Sequence, residues 1–206
     1  MVDLLINSFV VFFVVIDPIG LSAIFAALTR GYSREARRRV ALHGVVLSTV
    51  ILVLFFFAGD WFLQAMGIEV AAFRMAGGLL LLLLSVDMVF ARQSGLRSTT
   101  SGETAEAEIR QDISVFPLAF PLIAGPGALT TVLLMTAQPG GATVSSLMLG
   151  IIILVLAITW AMLLFAEQLY RVLGETGTNM ISRVLGVVLA ALAVQFIVDG
   201  AKAAFW

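Results

Sequence analysis

Asp17-Pro18-Ile19-Gly20 and Gly125-Pro126-Gly127-Ala128 stand 108 positions apart, each inside an apolar stretch long enough to span a bilayer. A carboxylate at Asp17 can hold an ammonium group or a proton. Backbone N–H groups at a helix start attract an anion, and glycine lets a ligand approach them closely. Asp followed by Pro is a helix-start signature, with the acid as N-cap and the proline at the first helical position. The same reading makes Gly125 a cap and puts Pro126 in the first turn. A proline inside a helix costs about 3 kcal/mol relative to alanine, and inside a membrane the freed backbone must border protein or a water-filled cavity. Broken spans at matching places imply a transporter.

Together the two runs suit a zwitterion. The expected site places the carboxylate or phosphate of a small substrate at Gly127 and Ala128 and any ammonium near Asp17. Ser22, Thr130 and Thr131 add hydroxyls, and Pro18, Gly20, Gly125 and Pro126 complete the set. A charge at the centre of a spanning helix costs about 2.5–3.5 kcal/mol, which favours a site role for Asp17 over a purely structural cap, although the two coexist. Elsewhere the chemistry is thin. Without cysteine there is no disulfide and no thiolate metal site, and the single histidine, His43, argues against a histidine metal centre or a catalytic triad. No acid, base and nucleophile cluster in the sequence, and no Gly-x-x-x-x-Gly-Lys run offers to bind ATP. The expectation is no enzyme, no cofactor, no metal and, at a net charge of -1, no nucleic-acid partner.

The elements that must position these residues are membrane helices. With 61% hydrophobic and 12% charged residues and a mean hydropathy of +1.08, the composition excludes an ordinary soluble domain, whose charged fraction is about twice as large. Six apolar segments are expected near 4–29, 40–58, 70–90, 113–137, 144–166 and 182–204, too continuous for alternating barrel strands. The first is retained rather than cleaved as a signal peptide. The fold class is all-α. Ten arginines fall on one side: Arg30, Arg34, Arg37, Arg38 and Arg39; Arg92, Arg97 and Arg110; Arg171 and Arg183. The positive-inside rule makes that side cytoplasmic and puts both termini outside, with Trp61 and Trp206 at the outer interface.

Three landmarks repeat in order. Asp17-Pro18 matches Gly125-Pro126, with Ser22 on Thr130; Asp60 and Gly67 match Glu167 and Gly174; Arg74-x-x-Gly77 matches Arg183-x-x-Gly186. The chain therefore reads as one transmembrane domain over 1–206, built from two three-helix repeats (about 1–90 and 113–206) joined by a polar cytoplasmic linker at about 91–112. Three spans per unit make the repeat inverted, with the first and fourth helices broken at mid-membrane and their positive N-termini facing each other. Gly77, Gly78, Gly186 and Ala190 are expected to allow close helix packing, and Gln195 to bond a neighbouring helix. Pro117 and Pro121 kink the fourth segment. Arg74 and Arg183 snorkel; Asp87 pairs with Arg92 or relays a proton, and Asp199 faces the outer interface.

The run from Ile16-Asp17-Pro18-Ile19-Gly20 through Thr29, the run Phe116-Pro117-Leu118-Ala119-Phe120-Pro121-Leu122-Ile123-Ala124-Gly125-Pro126-Gly127-Ala128, the Arg74-Met75-Ala76-Gly77-Gly78 run and Ala193-Val194-Gln195-Phe196 near Asp199-Gly200 resemble the MarC family of bacterial and archaeal integral membrane proteins. The resemblance covers essentially the whole chain. It implies a six-span inner-membrane protein grouped with LysE-type exporters, among whose relatives are transporters of small neutral amino acids; drug efflux is not implied. Family members usually carry Asn-Pro where this chain has Asp17-Pro18, so a cationic group or a coupled proton gains weight here over an anion. The leading expectation is secondary transport or export of a small polar metabolite, with small neutral amino acids first. A translocase for a lipid-linked phosphate and a non-transporting structural membrane protein stand as alternatives. Partners are the lipid bilayer, a small-molecule substrate and, left open, further copies of the chain.

Overall fold

The computed structural model describes residues 1–90, 113–136 and 140–205. The linker at about 91–112, with Arg92, and Trp206 lie outside the described residues. Helix follows helix: α1 (Val2–Ile16), α2 (Pro18–Leu28), α3 (Arg34–Ala65), α4 (Val70–Phe90), α5 (Ser114–Ile123), α6 (Pro126–Thr136), α7 (Gly141–Leu164) and α8 (Ala166–Phe205). No strand occurs among the described residues. Five stretches are long and apolar enough to cross a membrane, α1 with α2 counting as one, and the bent pair α5–α6 makes a sixth.

Local chemistry sets the boundaries. Ser33 caps α3 by accepting from the Ala36 N–H at 3.2 Å, and Glu35 lies in the first turn, where the helix dipole favours an acid. The 32 residues of α3 reach about 48 Å at 1.5 Å per residue, so this helix outruns a hydrocarbon layer of about 30 Å. The helix at 166–205 changes direction at Gly174, whose φ of 64° matches the 68° of Gly67 after α3. Both positions take a positive φ, which glycine adopts without a Cβ penalty.

Packing follows small residues. A Cβ on Gly78 would stand 2.7 Å from the Ala193 carbonyl oxygen, one on Gly186 2.8 Å from the Met88 Cβ, and one on Gly200 2.9 Å from the Ala71 carbonyl oxygen. These pairs run in opposite chain directions, so α4 and α8 are antiparallel and in near backbone contact. Around that pair, α1 and α2 pack on α7 and α8, while α5 and α6 pack on α3 and α6 also on α4. Phe12, Phe25, Leu52, Leu81, Leu118 and Ile152 are buried between them. Leu54, Phe57, Val184 and Val187 are instead exposed, an outward apolar surface that suits lipid.

Three expectations change. The helical stretch that carries the sixth apolar segment begins at Thr176, ahead of the apolar residues expected from about 182, because helix propagation carries through polar residues once Gly174 has turned the chain. Gln195 bonds Asp199 one turn along its own helix, Nε2 to Oδ1 at 2.8 Å, rather than a neighbouring helix. Pro117 and Pro121 do more than kink a helix. Phe116 (φ -131°, ψ 127°) and Phe120 (φ -135°, ψ 129°) are extended, as residues preceding proline tend to be, and both following peptide bonds are cis. The α5 segment is thus a pair of wide turns.

Candidate functional site

The first interruption is a single residue. Asp17 adopts φ 49°, ψ 65°, closing α1 through its N–H to the Phe13 carbonyl at 2.9 Å and opening α2 through its own carbonyl, which accepts from the Leu21 N–H at 2.9 Å. Its Oδ1 accepts from the Gly20 N–H at 3.1 Å, so the carboxylate caps α2, with Pro18 at the first helical position. Asp and Asn are the side-chain-bearing residues that best tolerate this left-handed geometry. Asp17 is fully buried. Its Oδ2 accepts a long bond, 3.4 Å, from the hydroxyl of Ser182 on α8. Ser182 sits about 9 Å along the helix from Thr176, on the arginine-bearing side of the middle of this span.

The second interruption is a bend. Between α5 and α6 the axis turns by 55°. The Gly125 carbonyl accepts the first bond of α6, from the Leu129 N–H at 3.0 Å, and Pro126 follows in the first turn. A Cβ on Gly125 would collide with the Pro121 carbonyl oxygen, so only glycine fits there. A cleft with room for about 20 Å³ of water opens at this terminus, walled by Val15, Leu80, Leu84 and Ile123 and floored by Gly125, Pro126, Gly127 and Ala128. That is space for about one water molecule.

The residues singled out from sequence thus fall into two groups. Asp17, Pro18, Gly20 and Ser22 share the start of α2; Gly125, Pro126, Gly127, Ala128, Thr130 and Thr131 share the start of α6. The groups are neighbours through Val15, whose Cγ1 lies 3.6 Å from where a Gly127 Cβ would be. Asp17 itself is not among the described residues lining the cleft. The hydroxyls turn inward: Ser22 donates to the Pro18 carbonyl at 2.6 Å and Thr131 to the Gly127 carbonyl at 2.8 Å, while Thr130 packs against Gly77.

Sequence reasoning missed Ser182, which nothing in its neighbourhood marks, and an ion-pair network at the other end of α2. There Arg37 Nη1 donates to Glu167 Oε2 at 2.6 Å and Arg171 Nη2 to Glu167 Oε1 at 2.9 Å. Arg37 and then Arg171 hold the Glu167 carboxyl below its ordinary value of 4.5. The bridge also brings the connection after the first span against the junction after the fifth, as the arginine distribution required.

A model of MarC family integral membrane proteins matches residues 2–205. The chain belongs to the MarC family. A UPF0056 membrane protein of Methanocaldococcus jannaschii is 37% identical over 97% of this chain and 96% of its own length. UPF0056 membrane protein YvbG of Bacillus subtilis is 34% identical over 100% and 97%, and UPF0056 membrane protein YhcE of Escherichia coli 32% identical over 96% and 91%. No solved structure matches the chain. Membership in the MarC family, together with the apolar helices, makes this an integral membrane protein.

Proposed function

We propose that this chain is a secondary transporter or exporter of a small polar metabolite, with small neutral amino acids as the first substrate class, alternating access around its two interrupted helices. The observation that carries the reading is the pair of buried helix starts, Asp17-Pro18 and Gly125-Pro126, brought into one neighbourhood through Val15 and Gly127. A soluble zwitterion finds there a carboxylate for its ammonium and helix N–H groups for its carboxylate. No such pair is needed by a protein that only fills the membrane.

An inverted repeat is supported by the way the elements pair. The contact of α1 with α7 is mirrored by that of α5 with α3, α2 with α7 by α6 with α3, and α2 with α8 by α6 with α4, while α3–α7 and α4–α8 pair across the centre. Gly67 and Gly174, one landmark of the sequence repeat, share a positive φ. In such an arrangement one repeat rocks against the other about a fixed site. The cleft at α6 holds about one water, so the present arrangement is the closed one, and substrate enters when α5–α6 move away from Leu80 and Leu84 of α4. The protein belongs in the bacterial cytoplasmic membrane, arginine-bearing end inward and both termini outward.

The test is counterflow in proteoliposomes holding the purified protein, with labelled alanine, serine and glycine. Wild type exchanges at least one of them, Asp17→Asn exchanges it more slowly, and Gly127→Ala does not exchange it. Absence of counterflow with all three, from protein whose melting curve shows it folded, would falsify amino-acid transport; retained counterflow in both variants would move the site elsewhere.

A further inference from the structure

We propose that a second cavity, at the arginine-bearing end of the bundle, binds a phosphate group and is separate from the helix interruptions. It holds about 310 Å³, and Arg30, Gly31, Arg37, Glu167, Tyr170 and Arg171 line it. At about 30 Å³ per molecule this is room for about ten waters, enough for a phosphate and part of what it esterifies. The cleft at α6 has no comparable space.

The charge on the walls selects the ligand. Three arginines and a single glutamate are among the lining residues, an excess of two positive charges matching a phosphate monoester. Glu167 holds Arg37 and Arg171 in place through bonds of 2.6 and 2.9 Å, using one terminal nitrogen of each. Arg30 has no ion-pair partner among the described residues. The Nε of Arg37 is buried and makes no hydrogen bond among the described residues. A buried donor without an acceptor is costly and commonly marks a place where a water or an ion binds. Planar guanidinium groups are suited to bidentate contact with phosphate oxygens, and the Tyr170 hydroxyl adds a neutral donor. The cavity lies at the end of α2 and the starts of α3 and α8, at one end of the apolar helices, so the phosphate can come from a lipid headgroup or from a soluble phosphate. The recognition chemistry is the same for both, and it does not depend on what crosses at the helix interruptions.

The experiment uses the full chain in nanodiscs. Discs of phosphatidylcholine alone are titrated with inorganic phosphate against chloride at equal ionic strength, and separate discs contain phosphatidic acid in place of part of the phosphatidylcholine; the melting temperature is read in each. The expected result is stabilisation by phosphate over chloride, identifying a soluble ligand, or by phosphatidic acid alone, identifying a lipid. Arg30→Gln raises about tenfold the amount of phosphate or phosphatidic acid needed for the same stabilisation, the loss of one charge-assisted hydrogen bond, and Arg30→Lys recovers part of it. Should Arg30→Gln not fold, Arg171→Gln, at an exposed position, is read instead. No preference for phosphate or for phosphatidic acid in wild type overturns the proposal, as does an undiminished response in the glutamine variant.

Discussion

At the first interruption the chain supplies its own anion: Asp17 turns left-handed, caps α2 through Gly20 and lets α1 and α2 count as one span, whereas at the second the axis bends by 55° and the first N–H groups of α6 border an apolar-walled cleft. A capped terminus has its partial positive charge answered and offers a carboxylate instead. A terminus closed by glycine and proline keeps that charge for whatever enters. Under the transport proposal, the two helix starts would hold opposite ends of one small molecule. The cost is unequal backbone freedom, since one break relies on a side chain and the other on the absence of one.

The largest effect is expected where the side chain must be absent. Gly125→Val drives a Cβ into the Pro121 carbonyl oxygen, and a backbone atom cannot step aside as a side-chain tip can. Overpacking of this kind costs about 1–3 kcal/mol or more, so the variant should lose its cooperative melting transition in detergent. If it melts like wild type, the bend between α5 and α6 is softer than its contacts imply. Next comes Asp17→Ala, which removes a cap of about 1 kcal/mol and forces a residue without Asp or Asn chemistry into the left-handed region at a further ~1–2 kcal/mol. Asp17→Asn keeps the acceptor and tolerates the geometry, so its melting temperature should stay close to wild type. A large drop for Asn as well as Ala would show that the charge itself holds the fold.

How far these features could be read from residues depends on their range. Asp-Pro and Gly-Pro are local signals, since proline lacks the N–H that a helix interior needs, and helix boundaries lie at Asp17 and between Ile123 and Pro126. Long apolar stretches are equally legible, five of them or six with the bent pair α5–α6, because hydrocarbon thickness dictates their length. What escaped was set by pairing between distant segments. Ser182 reaches Asp17 across 165 positions, and Glu167, read only as a repeat landmark, joins Arg37 across 130. An amide in an apolar helix points to a neighbouring helix, yet the partner of Gln195 is Asp199, one turn along its own. The extended Phe116 and Phe120 were foreshadowed by the prolines after them, although two such residues four apart turn a kink into something that is no longer a regular helix.

A milder variant separates stability from function at the second interruption. A Cβ at Gly127 would lie 2.9 Å from the Leu81 Cδ2 and 3.5 Å from the Leu84 Cδ2, both flexible side-chain tips that can shift by a few tenths of an ångström. Gly127→Ala should therefore melt within a few degrees of wild type while occupying the only space the cleft has, about 20 Å³. Counterflow should vanish. Normal counterflow in this variant would move the anion end of the site away from α6 and leave Asp17 as the sole functional half of the comparison.

The smallest effect is expected far from both interruptions and sets the floor for reading the others. Glu167→Gln weakens the bonds from Arg37 and Arg171 at an exposed position where solvent screens the charges, so the melting temperature should fall only slightly at neutral pH. Because Arg37, then Arg171, lower the folded-state value of this carboxyl, its contribution is fully present above the ordinary value of 4.5 and is lost as pH falls below it through the lowered folded value. The gap between wild type and Glu167→Gln should thus be constant from neutral pH down to that point and close beneath it. A gap that widened on acidification would mean that Glu167 is stabilised in its protonated form, and the ion pair between the ends of α3 and α8 would not be what joins them in solution.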